Sequence, residues 1–259
     1  MLALIAGTGA LPPALIAGRS DVYVCAMAGF PPAVPVNITF RIEHLGSLLA
    51  HLKGRGVKEV CFAGAVKRPV IDPAAIDAAT APLVPVIAGA IAAGDDGALR
   101  AIIGIFEAAG FVVRAAHELA PHLLPVAGVP TLRKPNAAMM AEAVLGQRVL
   151  IKLGKRDLGQ ACVIAQEALV AREGPEGTDA MLASVTSRCG ILFKGPKPDQ
   201  DRRADLPVIG LQTAKAIVAA GLDGIVITAG GVMVLDIDAV TDWLDAHDKV
   251  LWVRPEANV

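Results

Sequence analysis

This sequence has few aromatic residues and almost no excess of charge of either sign. Phe, Trp and Tyr make up only 3% of the 259 residues, and the formal net charge is -1. Stacking surfaces for single-stranded nucleic acid need aromatic rings, and binding to a phosphate backbone needs clustered Lys and Arg. We therefore expect no nucleic-acid partner.

Long uncharged runs and a leader sequence are also missing. The longest uncharged stretch spans the 17 residues 78–94 and is interrupted by Pro82 and Pro85. A spanning helix needs about 20 apolar residues, and proline breaks a helix. The N-terminal apolar run has no basic group ahead of it and stops early, unlike a secretory signal. These features predict no transmembrane segment and a cytoplasmic address.

The four cysteines contain no Cys-x-x-Cys pair. Cys25, Cys61, Cys162 and Cys189 lie far apart, each in apolar, strand-like sequence. Such a distribution favours buried free thiols over a disulfide framework or a zinc site. The abundant residues are small and aliphatic instead, and the hydrophobic fraction is 54%.

Apolar runs alternate with helical periodicity in the first part of the chain. Strands are predicted at residues 2–6, 21–27, 59–63 and 111–114, with a leucine-rich helical repeat over residues 42–52. This alternation favours a parallel sheet with helices on both faces. We predict an α/β fold with a Rossmann-like nucleotide-binding domain over residues 1–130.

A second α/β domain is predicted after a proline-rich linker. Residues 120–135 contain four prolines and little periodicity, as linkers do. The C-terminal catalytic domain is predicted over residues 136–259, and we expect the ligand between the two domains. Its strands are predicted at residues 161–170, 190–194, 206–209, 224–227, 232–235 and 249–253.

Two glycine-rich turns follow predicted strands of the first domain. Gly7 and Gly9 precede a helix, and glycines there let backbone N–H groups approach a phosphate. A dinucleotide site would need a third glycine at Pro12 and an acid about 20 positions on, and the sequence has neither. In the second turn, Gly64 and Arg68 could face the same crevice. Plain structural turns with a solvated arginine remain the alternative.

A charged, proline-stiffened stretch spans residues 194–207. Lys194, Lys197 and Arg203 are followed by Asp205 at the mouth of a predicted strand. Cations beside a carboxylate suit the binding of a polyphosphate and the activation of water. An ordinary hydrophilic loop is the alternative.

Residues 173–181 combine carboxylates with a helix start. Thr178 or Asp179 could serve simply as an N-cap. Alternatively, these residues hold a polar group of a ligand or a water molecule on a divalent cation.

Taken together, these stretches resemble the LpxI type of UDP-2,3-diacylglucosamine pyrophosphatase. The order and spacing of the matches make the resemblance specific. The matching stretches are Leu4-Ile5-Ala6-Gly7 with Gly9-Ala10-Leu11-Pro12, Cys61-Phe62-Ala63-Gly64 with Arg68-Pro69, Gly94-Asp95-Asp96, Ala116-His117-Glu118, Asp157-Leu158-Gly159-Gln160, residues 173–181, residues 194–200, and Asp205-Leu206-Pro207 with Ile209-Gly210.

The resemblance implies Mg²⁺-dependent hydrolysis of the pyrophosphate bond of UDP-2,3-diacylglucosamine, which yields 2,3-diacylglucosamine 1-phosphate (lipid X) and UMP in lipid A biosynthesis. Asp205 matches the family's essential aspartate and would bind metal or activate water. Thr228 stands where family members often carry an acid, so a metal role there is in doubt. The catalytic residues expected are Asp205, Lys194, Lys197 and Arg203. The residues expected to bind the nucleotide or the rest of the substrate are Gly7, Gly9, Ala10, Leu11, Gly64, Arg68, Glu173, Thr178, Asp179 and Gln200.

The same resemblance implies a lipid-linked nucleotide sugar as substrate and transient contact with the cytoplasmic surface of the inner membrane. A homodimer is a further hypothesis. A non-catalytic nucleotide- or lipid-binding protein on the same fold is the alternative function. A nicotinamide-dependent oxidoreductase is disfavoured by the incomplete glycine fingerprint.

Overall fold

The computed structural model describes residues 1–67, 69–92, 94–154, 156, 158–197, 200–203 and 205–255, without the side chains of residues 90–96. The chain forms two compact units. The first contains Met1–Ala120 and Asp201–Asp205, and the second contains Pro121–Gln200 and Leu206–Val259. Both units are built from strands and helices, so the α/β prediction is confirmed.

The sheet of the first unit is parallel and has the strand order β3-β2-β1-β4-β5. A doubly wound nucleotide-binding sheet has this order: the chain first adds strands on one side of β1 and then on its other side. The sequence did not predict β3, because three residues are too few to show a strand period. The strands are β1 (Leu2–Ala6), β2 (Val22–Met27), β3 (Ile38–Phe40), β4 (Glu59–Ala63) and β5 (Val112–Arg114).

The helices of the first unit enclose a core on which the predicted leucine repeat converges. Leu45, Leu48 and Leu52 are at most 3% exposed and pack with Phe106 and other apolar side chains. This burial confirms the helical period predicted over residues 42–52. The helices are α1 (Leu11–Ile16), α2 (Leu45–Gly54), α3 (Val84–Ala92), α4 (Gly94–Ala108) and α5 (Ala116–Leu119).

The main sheet of the second unit is mixed, with the order β12-β10-β8-β6-β7. Strands β8, β10 and β12 run parallel, while β6 pairs antiparallel to both β8 and β7. The two remaining strands, β9 and β11, form a separate parallel pair. The strands are β6 (Ala161–Ala165), β7 (Ala168–Arg172), β8 (Ile191–Lys194), β9 (Val208–Ile209), β10 (Gly224–Thr228), β11 (Met233–Val234) and β12 (Val250–Arg254).

The single strand predicted over residues 161–170 is wrong, because this segment contains the turn of a β-hairpin. Gln166 and Glu167 lie between β6 and β7, with φ values of 51° and 56°. Two consecutive positive φ values are typical of the tight turns that join antiparallel strands. Neither residue type favours that conformation, so the sequence gives no turn signal here.

The proline-rich stretch predicted as a linker is partly folded onto the second unit. Thr131 is fully buried, and its hydroxyl accepts a hydrogen bond from the Leu251 backbone N–H (3.0 Å). Gly128 exchanges two backbone hydrogen bonds with Val253, each 2.9 Å long. Prolines exclude regular periodicity here, but an irregular segment can still be fixed through individual hydrogen bonds.

Among its described residues, the second unit also contains the α-helices α6 (Ala137–Gly154), α7 (Gly177–Ala183), α8 (Leu211–Ala219) and α9 (Ile237–Ala246). In the part of the chain that the structure describes, no helix combines the length and the apolar character needed to cross a membrane.

The cysteines are all free thiols, as predicted, but only three are buried. Burial raises the pKa of Cys25, Cys61 and Cys162 to about 12, which keeps these thiols neutral. The burial prediction is wrong for Cys189, which lies just before β8 and is half-buried.

Candidate functional site

The two glycine turns of the first unit pack against each other beyond the ends of β1 and β4. Thr8 and Ala65 exchange two backbone hydrogen bonds of 2.9 Å. A Cβ atom on Gly7 would lie 2.5 Å from the Ala65 carbonyl oxygen, and one on Gly64 would lie 2.7 Å from the Thr8 carbonyl oxygen. Backbone packing therefore explains both glycines without a ligand.

Gly9 differs from its two neighbours in the same turns. Its φ is 98°, and a Cβ atom would meet nothing within 4 Å. Gly9 is therefore required by backbone conformation, and the space beside it is open. Ala10 is the N-cap of α1 without a side-chain hydrogen bond, and Leu11 is buried in its first turn. Arg68 lies outside the described residues.

The second unit brings three of the predicted side chains together in one hydrogen-bonded chain. The Lys194 ammonium donates to the Thr178 hydroxyl oxygen over 2.8 Å, and the Thr178 hydroxyl donates to Glu173 Oε1. The Gln160 backbone N–H donates to Glu173 Oε2 over 2.6 Å. We name Lys194, Thr178 and Glu173 the Lys194 relay.

Four chain segments meet at the relay because of the strand directions in the sheet. Lys194 ends β8 opposite Ala161, where antiparallel β6 begins. Glu173 directly follows β7, and its backbone N–H donates to the Ala161 carbonyl (2.9 Å). Thr178 lies in the first turn of α7. The relay thus lies where the parallel strands of this sheet end, the usual position of ligand sites in α/β sheets.

The charge of Lys194 is held inside the protein. Lys194 is only 8% exposed to solvent, and Thr178 is 9% exposed. A buried ammonium is costly unless hydrogen bonds and an opposite charge compensate it. The Glu173 carboxylate, linked through the Thr178 hydroxyl, supplies such compensation.

The structure contradicts the N-cap interpretation of Thr178 and Asp179. The N-cap of α7 is Glu176, whose side chain makes no capping hydrogen bond. Thr178 lies two residues after this N-cap and uses its hydroxyl in the relay. Asp179 is exposed in the first turn of α7, where a carboxylate favours the helix dipole.

Backbone and hydroxyl groups next to the relay were not assigned a role from the sequence. The Gly195 backbone N–H donates to the Gln160 carbonyl over 3.1 Å. A Cβ atom on Gly195 would lie 2.8 Å from the Thr228 hydroxyl oxygen. Lys194 of β8 pairs with Ile227, and Thr228 follows Ile227 as the last residue of β10, so it lies at the same edge of the sheet. The sequence indicated this proximity only indirectly. Strands are predicted at residues 190–194 and 224–227, and the carboxyl ends of parallel strands meet at one edge of a sheet.

Lys197 and Gln200 form a local turn after the relay. The Gln200 side-chain oxygen accepts from the Lys197 backbone N–H at 3.0 Å, and both residues are half-buried. Gln200 therefore fixes the backbone that carries Lys197. Residues 198 and 199 lie outside the described part of the chain.

The segment Asp201–Asp205 belongs to the first unit and is tied there by Arg203. The guanidinium donates twice to the Asp201 carboxylate, at 2.9 and 2.7 Å, and once to Glu107 Oε1 at 2.5 Å. The Arg203 hydrogen bonds hold the pKa of Asp201 below its usual value. Asp205 is half-buried, and its backbone N–H donates to the Asp201 carbonyl (3.2 Å).

His117 is a polar side chain of the first unit to which the sequence assigned no role. Its Nδ1 is buried and has no hydrogen-bond partner among the described residues. Desolvation lowers the pKa of His117; the Glu118 carboxylate opposes this shift, and the positive charge of Arg202 adds to it. The lowered pKa favours the neutral form of the ring, which feels the charges of Glu118 and Arg202.

A complete protein-built metal centre is absent from the described residues. In that part of the chain, no group of three or more His, Cys, Asp or Glu side chains could hold a metal ion. Mg²⁺ is often bound by one or two carboxylates together with phosphate oxygens of the substrate and water. The half-buried Asp205 carboxylate has the right donor chemistry for that second mode.

The chain is similar to known proteins over nearly its whole length. A family described as the LpxI N-terminal domain matches residues 1–123, and one described as the LpxI C-terminal domain matches residues 126–252. The UDP-2,3-diacylglucosamine pyrophosphatase LpxI of Caulobacter vibrioides is 35% identical over 257 residues, and the match covers 92% of this chain and 92% of that protein.

Proposed function

This chain belongs to the LpxI family, and from that we infer that it hydrolyses the pyrophosphate bond of UDP-2,3-diacylglucosamine. The products are 2,3-diacylglucosamine 1-phosphate and UMP, a step of lipid A biosynthesis. The protein is therefore a hydrolase acting on a phosphoric anhydride. The single structural observation that carries this assignment is the buried ammonium of Lys194 at the carboxyl edge of a sheet.

The chemistry of a pyrophosphate explains why a buried cation matters. The negative oxygens of the diester repel an attacking water molecule, so catalysis requires positive charge at the phosphates. A charge acts more strongly in a poorly hydrated site than in bulk water. Lys194 is such a charge, and Lys197 follows it on a backbone fixed by Gln200.

Asp205 is assigned metal binding or the activation of water. A carboxylate can accept a proton from water or orient it. Bound Mg²⁺ would supply further positive charge at the pyrophosphate, with Asp205 and phosphate oxygens as its ligands. Arg203 donates to Asp201 and Glu107 with three of its five N–H groups, and its positive charge would act on the phosphates alongside these bonds.

The first unit is assigned the nucleotide half of the substrate. Its strand order supports a Rossmann-like nucleotide-binding domain over residues 1–130, and residues 136–259 would form the catalytic domain. Gly9 and Ala10 are the part of the glycine turns with open space, and Gly7, Leu11 and Gly64 shape that turn. Arg68 and Asp179 remain proposed substrate contacts.

The substrate also suggests where the protein works. A lipid-linked nucleotide sugar resides in a membrane, so the enzyme would act in the cytoplasm with transient contact to the inner-membrane surface. A homodimer is part of the same proposal, since exposed apolar side chains such as Leu132 and Val126 are common in interfaces.

Release of UMP from UDP-2,3-diacylglucosamine by the purified, folded chain tests the assignment. We expect UMP and 2,3-diacylglucosamine 1-phosphate in equal amounts, with faster turnover when Mg²⁺ is present than after chelation. Binding of the substrate without any turnover, with or without Mg²⁺, would favour the non-catalytic binding protein instead. Equal rates under both conditions would remove the proposed role of Mg²⁺ alone.

A further inference from the structure

The Lys194 relay has only one possible direction of hydrogen bonding. An ammonium can only donate, and an ionised carboxylate can only accept. Thr178, which lies between them, must therefore accept from Lys194 and donate its single hydroxyl proton to Glu173. The other oxygen of Glu173 is held by the Gln160 backbone N–H.

The hydrogen bonds of Thr178 and Glu173 connect them to Lys194 and to the Gln160 backbone. The proton of Thr178 is already donated within the relay, and both oxygens of Glu173 already accept hydrogen bonds. The sequence suggested that these two residues contact the substrate. Their contacts in the structure instead match residues that orient another side chain.

Orientation matters for a lysine because its stem is long and flexible. An ammonium that is not held can occupy many positions, and each hydrogen bond that fixes it reduces that freedom. A charge that is already in place when negative charge develops on a phosphate requires no reorganisation during the reaction. Burial of both Lys194 and Thr178 strengthens this effect, since water does not screen it.

We propose that Thr178 and Glu173 are positioning residues that hold the Lys194 ammonium for the pyrophosphate of the substrate. This inference rests on the proposed function and deepens it. Neither residue touches the reacting atoms. They act through Lys194, and their removal should lower the rate of the chemical step more than it weakens substrate binding.

Thr178→Val tests the proposal because it removes the hydroxyl and nearly preserves the volume. We expect kcat to fall by about tenfold or more while KM changes less than about threefold. Thr178→Ser keeps the hydroxyl and should retain kcat within about threefold. Glu173→Gln should also lower kcat, because the carboxamide replaces one of the two accepting oxygens with an NH2 group, which cannot accept from the Gln160 N–H or the Thr178 hydroxyl.

Two variants in the same unit serve as matched controls. Thr213 is a buried threonine on α8, and Glu176 is an exposed glutamate at the start of α7. Thr213→Val and Glu176→Gln should leave kcat unchanged. An unchanged kcat in Thr178→Val would overturn the proposal. So would an equal loss in Thr213→Val, which would point to a general effect on the fold.

A second measurement does not depend on turnover. The rate at which an amine-modifying reagent labels Lys194 can be followed by mass spectrometry, with exposed Lys215 as internal reference. Lys194 should be labelled faster in Thr178→Val than in the wild-type chain. Equal labelling rates would overturn the relay, whereas a wild-type chain that releases no UMP but shows the difference in labelling would refute only the proposed function.

Discussion

The two units use opposite means to build the edges of their sheets. In the first unit, the turns after β1 and β4 are held by backbone atoms, with Thr8 and Ala65 hydrogen-bonded across them. In the second unit, the end of β8 is organised by side chains, with a buried ammonium linked to a carboxylate. The first edge thus depends on the absence of side chains, and the second depends on their charges.

This difference fits the two roles that we propose for the units in the reaction. A backbone-built edge with open space at Gly9 can accept a polar or charged group through N–H donors without placing a fixed charge there. In the proposed function, the buried cation at the second edge would provide the charge that hydrolysis of an anhydride requires. The comparison predicts that substitutions at the first edge act mainly on stability and those at the second edge act mainly on rate.

The largest expected effect concerns Asp205, which lies next to the second unit in sequence but within the first in packing. Asp205→Ala removes the carboxylate assigned to metal or water, so turnover should fall by about a thousandfold or more. The assay is UMP release, with substrate binding measured separately by calorimetry. Asp238→Ala, at an exposed aspartate of α9, is the control and should keep full activity. An active Asp205→Ala variant would remove Asp205 from the catalytic residues.

The glycines of the first edge provide the next test, because two of them differ in their surroundings. Gly7→Ala places a methyl group against the Ala65 carbonyl, which should cost about 3 kcal/mol in the free energy of unfolding. Gly9→Ala meets no atom and should cost only about 1 kcal/mol, from its positive φ. Thermal denaturation of both variants measures the two costs. Equal losses would show that the close contact at Gly7 does not exist.

The smallest expected effect comes from a carboxylate of the first unit. Glu43 is buried, and its pKa is lowered to about 2. The main cause is hydrogen bonding from the Arg41 side chain, and the second is a hydrogen bond from the Asp72 backbone N–H. A lowered folded-state pKa means that its contribution to stability is complete above the ordinary value of 4.5 and is lost as the pH falls towards 2. Glu43→Gln should therefore be less stable than wild type at pH 7, with a difference that shrinks between those two pH values.

Denaturation midpoints of both proteins across that range measure the difference. The same substitution should leave UMP release at pH 7 unchanged, in contrast to Glu173→Gln of the second unit. A constant stability difference down to pH 2 would contradict the ion-pair account of Glu43.

Sequence patterns predicted the elements well but could not predict how side chains use them. The leucine period of α2 and the apolar runs of β1, β4, β8 and β10 follow directly from burial, so their bounds were largely correct. The hairpin at Gln166 and Glu167 was not recognised, because its positive φ values occur in residues that seldom adopt them. The packing of Thr131 on the second unit was also missed, since one hydroxyl leaves no periodic signal.

The candidate site was predictable as a set of residues but not as a set of roles. The sequence predicts Lys194, Thr178 and Glu173 as site residues, but their hydrogen-bonded order depends on the antiparallel pairing of β6 with β8. The pairing of Arg203 with Glu107 joins residues far apart in sequence, so no local pattern could indicate it. The same is true of Gly7, which must lack a side chain because the carbonyl of Ala65, a residue distant in sequence, packs against it.

The most direct test of the account is UMP release by Lys194→Met measured beside Lys215→Met and the wild-type chain. Both substitutions remove one lysine charge from the second unit, but only Lys194 is buried in the relay, while Lys215 is exposed on α8. The account predicts that kcat falls by about a hundredfold or more in Lys194→Met and stays at the wild-type value in Lys215→Met. A folded Lys194→Met variant that releases UMP as fast as wild type would contradict it.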